Sequence, residues 1–354
     1  MLATLPAIAD DGFKILVAAP PCGPLASELR SRGITNLLWP THDEVGKRHP
    51  LERLREDLAN LVLQARPNLI HANSLSTARI SGPVAAKCDV PSIGHLRDIL
   101  KLATQAIEDL NAHRRLVAVS RATRDFHVAQ GLAALKCVVV NNGVDLAEFK
   151  PRPTTGYLHR ELKLPANARL CAVIGQLGLR KGTDVALAAA LQIADQFSNV
   201  HWLVIGERTS TKDESREFED LLRSIAAEEP LTGHVHFLGS RTDVPALLAE
   251  CDVLVHAARQ EPLGRVLLEA AASGLAIVAT DVGGTREIFP KDANAAILVP
   301  ADEQSALADA VCSLLSDDHH RYELGAAARQ RAESAFDVYN AASNLIEQYR
   351  YVLS

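Results

Sequence analysis

Aromatic side chains are scarce: Phe, Trp and Tyr together make up 4% of the 354 residues. So few rings provide no interleaved stacking platform for single-stranded nucleic acid. A formal net charge of -6 likewise argues against a general nucleic-acid binder, which needs a cationic footprint. No apolar run approaches the ~20 residues needed to span a bilayer. Asp10, Asp11 and Lys14 interrupt the N-terminal apolar residues, so a cleaved secretory leader is not expected. Six cysteines, Cys22, Cys88, Cys137, Cys171, Cys251 and Cys312, form no CxxC pair. They read as reduced thiols in the core of a cytoplasmic protein. A GxGxxG turn is also missing, and with it the phosphate fingerprint of a dinucleotide-dependent dehydrogenase.

What the chain does have is an ordinary globular composition, with 47% apolar and 23% charged residues. Its length fits two domains. The charge is lopsided: residues 1–154 carry 19 Lys+Arg against 15 Asp+Glu, a net of +4, and the remainder nets -10. The basic part hints at an anionic acceptor or at peripheral contact with a membrane inner face.

Apolar patterning alternates strand with helix. Residues 13–20 (FKILVAAP) read as a continuous apolar strand buried on both faces of a parallel sheet. Strands at 34–39, 68–72, 92–95, 116–120 and 137–141 follow, separated by helices such as 51–66 and 76–88. The pattern restarts with strands at 170–175, 201–206, 234–238, 253–256, 276–280 and 297–299. Helices are expected at 184–197, with Thr183 as cap, and at 218–227, 244–250, 265–273 and 303–315. Two βα series imply two doubly wound domains. We place the first at 1–155, the second at 156–335 and a terminal helical segment at 336–354. Ligands of such sheets bind beyond the carboxyl ends of the strands, so a cleft between the domains is the expected site.

One segment is chemically rich: EPLGRVLLEAAASG from Glu261. Glu269 sits among Leu267, Leu268 and Ala270–Ala272, where a carboxylate is costly without donors. Free N–H groups at Gly264, Arg265 and Val266 form an anion site at a helix start, and Gly264 permits close approach of a phosphate. In IGQLGLRKGTD, Lys181 lies just before another helix and is suited to neutralise a leaving anion. GGTRE at 283–287 reads as a close-packed turn. His234 and His236 share a strand face but lack ligand partners nearby in sequence, so no metal is expected. His319 and His320 read as solvated loop residues.

These motifs resemble the retaining family 4 glycosyltransferases of the GT-B fold. The resemblance rests on Glu261 and Glu269 eight positions apart, a small-residue helix, Gly274, and the flanking VHFLGSRTDVPALLAECDVLVHAARQEPLG and IVATDVGGTREI. It implies an α/β, GT-B chain with two Rossmann-like domains facing a central cleft, its terminal helix crossing back onto the first domain. It also implies roles. Glu261 would bond hydroxyls of the donor sugar and Glu269 the nucleotide ribose. Leu263 would accompany Gly264, Arg265 and Val266 at the diphosphate, and backbone near Arg241 would meet the base. Lys181 would hold the diphosphate together with Gln176, which stands where relatives usually carry a basic residue. His95 would line the reacting sugar, and Gly23 the acceptor-side loop, where relatives often have two glycines. His71 resembles another recurrent position, with Asn73 replacing a frequent second His.

The implied activity is sugar transfer from a nucleotide-diphosphate-sugar to a glycan, lipid or small-molecule acceptor, with retained stereochemistry and no metal or cofactor. Alternatives are a GT-B epimerase or phosphorylase, which the Glu pair argues against, and a sugar-nucleotide-binding protein that has lost turnover.

Overall fold

The computed structural model describes residues 2–354. The chain forms two units, residues 2–141 with 338–354, and residues 142–337.

In the first unit α1 (Leu5–Asp10) precedes β1 (Leu16–Ala19), α2 (Pro24–Ser31) and β2 (Thr35–Leu38). Strands β1 and β2 pair in parallel with each other. The expectation of a strand buried on both faces fails at β1, where Ala19 is buried but Leu16, Val17 and Ala18 are only half-buried. Its one recorded strand partner is β2, so its other edge joins no central sheet. Next comes α3 (Leu51–Ala65), which buries Leu54, Leu58 and Val62, spaced four apart on one face. Arg66 ends it in the left-handed region before Pro67. Four parallel strands then make the second sheet in the order β3 (Ile70–Ala72), β4 (Ser92–Leu96), β5 (Arg115–Ala118), β6 (Cys137–Val139). Between them run α4 (Leu75–Lys87), α5 (Thr104–Asn111) and α6 (Arg121–Val128). Ser74 starts α4 with a capping box shared with Thr77, which satisfies N–H groups that the helix leaves open.

The second unit contains α7 (Tyr157–Leu162), β7 (Arg169–Ile174), α8 (Thr183–Ala194), β8 (Val200–Ile205), α9 (Asp213–Ala227), β9 (Val235–Gly239), α10 (Val244–Glu250) and β10 (Val253–His256). It continues with α11 (Arg265–Ala272), β11 (Ala276–Thr280), α12 (Thr285–Ile288), β12 (Ile297–Val299), α13 (Gln304–Ser316) and α14 (Asp318–Ala335). The six strands lie in the order β12-β11-β10-β7-β8-β9, all parallel. Strands β8, β10 and β11 are buried throughout, as a sheet covered on both faces requires. The order reverses between β7 and β10: one half of the sheet grows outward from β7, the other from β10. That reversal is the topological switch point, where doubly wound sheets open a crevice beyond their strand ends.

Several local expectations need correction. Gly182, not Thr183, is the N-cap of α8; it adopts φ +64, and Thr183 is the buried first residue. His319 and His320 are not in a loop. They lie in the first turn of α14, where Asp317 caps the helix by accepting from the His320 N–H at 3.0 Å. Among the cysteines Cys137 and Cys171 are buried, but Cys22 is exposed.

The chain ends in α15 (Val338–Leu353), which belongs to the first unit. Leu345, Ile346, Tyr349 and Val352 pack with Leu5, Ile8, Ile93, Val117 and Val140. No helix among the described residues is long and apolar enough to cross a membrane.

Candidate functional site

Lys181 and Glu261 lie 80 positions apart, yet both follow strands at the switch point. Lys181 is in the turn after β7, and Glu261 is in the loop after β10. Lys181 Nζ stands 2.5 Å from Glu261 Oε2, and His256 Nε2 donates to the same oxygen at 3.0 Å. Glu261 is 5% exposed and His256 3%. Burial pushes the Glu261 carboxyl up, but the hydrogen bond and field of His256, then Lys181, outweigh it and hold the pKa down at about 2. The group is therefore a fixed carboxylate at neutral pH.

Two glycines let neighbouring segments pack directly on the 257–261 loop. A Cβ on Gly182 would stand 1.8 Å from the Ala257 carbonyl oxygen, and one on Gly283 would stand 2.0 Å from the Glu261 carbonyl oxygen. The turn at 283–287 is thus packed directly on the Glu261 loop, as its glycines suggested, with the Gly284 N–H donating to the Glu261 carbonyl at 2.9 Å. Arg259 ties the same loops from the other side. Its N–H donates to the Arg180 carbonyl at 2.9 Å, and its guanidinium bonds the Leu179 carbonyl at 2.6 Å and Asp184 at 2.7 and 2.9 Å.

Beyond Glu261 the chain passes the buried Leu263 and reaches Gly264, the N-cap of α11, at φ +102. The N–H groups of Gly264, Arg265 and Val266 donate to no acceptor among the described residues. They carry the positive end of the helix dipole. Glu269 lies one turn on, half-buried, and its carboxylate accepts no hydrogen bond among the described residues. Burial raises its pKa, with Arg265 opposing and Glu148 adding to the rise. The reading of Glu269 as a carboxylate in want of donors fits this environment.

The remaining candidates are Gln176, Arg241, Gly23 and His95. Gln176, two residues past the end of β7, donates to the Thr209 hydroxyl. The Arg241 guanidinium is committed to Asp243 at 2.8 Å and Glu161 at 2.7 Å, which leaves its backbone as the available polar surface. Gly23 is the N-cap of α2 at φ +98, and a Cβ there would meet nothing within 4 Å. Its glycine is explained by backbone conformation rather than by crowding. His95 is near the carboxyl end of β4 in the first unit, 3% exposed, with its Nδ1 3.1 Å from His71 Nε2.

His256 and Arg259 were not singled out from the sequence. Both belong to the segment VLVHAARQEPLG, but only folding brings His256 onto Glu261 and Arg259 onto Asp184. His234 and His236 flank His201, which stacks on His234 with ring centroids 4.6 Å apart and bonds His236 at 3.1 Å.

Comparison with known proteins follows this division. The family model described as Glycosyl transferases group 1 matches residues 157–331, and that described as Glycosyltransferase Family 4 matches residues 2–148. The chain is 30% identical to the spore coat protein SA of Bacillus subtilis over 61% of its length and 59% of that protein's. It is 34% identical to a phosphatidyl-myo-inositol mannosyltransferase of Mycolicibacterium smegmatis over 55% of its length and 47% of that protein's. These matches thus span about half to three-fifths of the relatives' own lengths. Among solved structures, HepE of Anabaena in complex with UDP-glucose superposes with a TM-score of 0.86 at 22% identity, covering 99% of this chain and 94% of that one. A glycosyltransferase from Rickettsia africae superposes with a TM-score of 0.85 at 18% identity, covering 99% and 94%. The fold of both units is that of these GT-B chains.

Proposed function

The chain belongs to the glycosyl transferases group 1 family, and from that we propose that it transfers a sugar from a nucleotide-diphosphate-sugar donor to an acceptor, with retention and without a metal. The observation that carries this is the convergence at the switch point of a buried carboxylate, a cation and three open N–H groups: Glu261, Lys181 and the start of α11. A donor needs this set, because its diphosphate takes positive charge and N–H groups while its sugar takes a hydroxyl acceptor.

In this reading the diphosphate rests on the N–H groups of Gly264, Arg265 and Val266, with Leu263 shaping the loop. Lys181 neutralises the charge that develops as the diphosphate leaves. Glu261, fixed as an anion by His256, accepts hydroxyls of the sugar, and Glu269 accepts those of the ribose. Backbone beside Arg241 meets the base. Gln176 offers hydrogen bonds where the family resemblance leads one to expect a basic residue, so Lys181 and the helix dipole bear more of the electrostatic work. Departure and attack occur on one face of the sugar, and the leaving oxygen takes the acceptor proton. Catalysis is then positioning and charge stabilisation, with His95 of the first unit as a further contact to substrate. UDP-glucose is the first donor to try, since HepE is described in complex with it. The likeness to a phosphatidyl-myo-inositol mannosyltransferase makes polyol and lipid-linked polyol acceptors worth including.

The test is a thermal-shift screen of UDP-, GDP- and ADP-sugars followed by turnover with the stabilising donor. One class of donor should raise the melting temperature, and Glu261→Ala should abolish both that rise and transfer. No response to any sugar nucleotide would overturn the assignment of the site. Binding without hydrolysis or transfer to any acceptor would favour a sugar-nucleotide-binding protein without turnover.

A further inference from the structure

The imidazole of His95 is enclosed by groups that decide where its proton sits. His95 Nδ1 faces His71 Nε2 at 3.1 Å and Arg97 Nη2 at 3.4 Å. His71 Nδ1 in turn faces the Tyr349 hydroxyl of α15 at 2.7 Å. The two imidazoles lie nearly parallel, with ring centroids 5.3 Å apart. Arg97 also donates to Asn73 Oδ1 at 2.9 Å.

Two directions of this hydrogen-bond chain are conceivable, and two observations choose between them. A guanidinium has only donors. His95 Nδ1 therefore meets Arg97 favourably only as a bare acceptor, which puts the proton on Nε2. His71 Nε2 must then carry a proton to donate to the same atom, so His71 Nδ1 is bare and accepts from the Tyr349 hydroxyl. Tyr349 supplies the second reason. It is 6% exposed, and His71 is the one partner recorded for its hydroxyl among the described residues, so its proton has an acceptor only in this direction. The chain ends at His95 Nε2, which is buried and has no hydrogen-bond partner among the described residues. A buried N–H without a partner is rare in a folded protein and marks a place where a ligand can complete the bonding.

We propose that Tyr349, His71 and Arg97 are positioning residues that hold His95 neutral with its proton on Nε2, so that it donates a hydrogen bond to an uncharged substrate oxygen and does not act as a base. The inference deepens the transferase reading, and it gives the C-terminal helix a part in the site's chemistry through Tyr349. Protonation of either ring is disfavoured. Burial, then Arg97, then His71 lower the His95 pKa well below its ordinary value; burial, then Arg97, bring His71 to about 3, with His113 adding. Among the described residues, the charged or titratable groups facing the pair are thus Arg97, Tyr349 and His113, none of them anionic at neutral pH. A carboxylate, which would hold an imidazolium, is missing from both rings' recorded partners. A hydroxyl of the transferred sugar or of the acceptor suits a neutral N–H donor; a phosphate would be better served by a cation.

The test needs no substrate, so its failure is separable from failure of the transferase reading. In the full-length protein labelled with ¹⁵N, long-range ¹H–¹⁵N correlation assigns protonated and bare ring nitrogens. His95 and His71 should each show a protonated Nε2 and a bare Nδ1 at pH 7, unchanged at pH 5. Tyr349→Phe keeps the ring, including its edge contact with Phe13 at 5.5 Å, and removes only the donor. It should move the His71 nitrogens toward a mixture of tautomers. Arg97→Lys, which keeps a donor, should preserve the His95 signature, and Arg97→Met should mix it. With a donor in hand, Tyr349→Phe should lower kcat roughly tenfold, the worth of one ordinary hydrogen bond, with the donor KM changed less than twofold. A proton on His95 Nδ1, titration of either ring near pH 6.5, or Tyr349→Phe spectra identical to the parent would each overturn the proposal.

Discussion

Replacing Lys181 with Met tests the central ion pair on two scales. The substitution keeps the stem of the side chain and removes the ammonium that stands 2.5 Å from Glu261 Oε2. The Glu261 pKa falls from 4.5 to about 2 in the folded chain, which is on the order of 3 kcal/mol of folding free energy. His256 contributes more of that lowering than Lys181 does. Loss of the ammonium alone should therefore cost the smaller share, about 1 kcal/mol. The sign follows from the depressed folded pKa. The contribution is complete above the unfolded value near 4.5 and is lost as pH falls through about 2. Urea unfolding of parent and Lys181→Met should thus differ at pH 7 and by nearly as much at pH 3.5, and the difference should close only as pH falls through about 2. Heat should show a melting point lowered by roughly 2–4 °C for a unit of this size. Turnover should fall far more, by about 10²–10³, because the cation is then missing where charge develops. A stability gap that persists below the folded pKa of about 2 would show that the pair is not the cause. Turnover within twofold of the parent would remove Lys181 from the chemistry.

Three further outcomes follow from the same geometry. Gly182→Ala places a Cβ into the Ala257 carbonyl and holds a side chain at φ +64; the two loops must part, and transfer should drop by about 10² for a displacement near 1 Å, while Gly23→Ala, which meets no neighbour, should cost far less. Glu269→Gln removes a charge that burial disfavours, so the unliganded protein should melt higher, while donor Kd, read by calorimetry, should weaken roughly 10- to 100-fold through loss of hydrogen bonds to a charged group. Arg259→Gln cuts the tie to Asp184 and the Leu179 carbonyl and should raise the donor KM by at least several-fold; an unchanged KM would mean that the loops hold their places without it.

Strands β8, β10 and β11 of the second unit were legible because burial on both faces writes them as nearly unbroken apolar runs. VHWLVI and AIVAT admit no polar face, and β10, β11 and β12 run within the expected bounds. The first strand misled for the opposite reason. FKILVAAP is equally apolar, but β1 pairs only with β2 and stays half-exposed. Helix α14 escaped notice because its apolar residues are small and scattered: Leu324, Gly325, Ala328 and Ala332 are buried along eighteen positions otherwise rich in charge. Asp317 and the two histidines after it read as a loop, although the Asp is the cap that starts the helix.

The sequence by itself determined the family and the two βα series, and singled out Glu261, Glu269, Lys181 and the Gly264 turn as candidates, because residue type and local spacing are properties of a short stretch of chain. Tertiary structure decided which of these meet. The strand order joins β7 to β10, so Lys181 reaches Glu261 across 80 positions, His256 and Arg259 become its supports, and the C-terminal Tyr349 reaches His71 across 278. No local pattern encodes such pairs, because each depends on which strands lie side by side, and that is settled only when the whole core is buried at once.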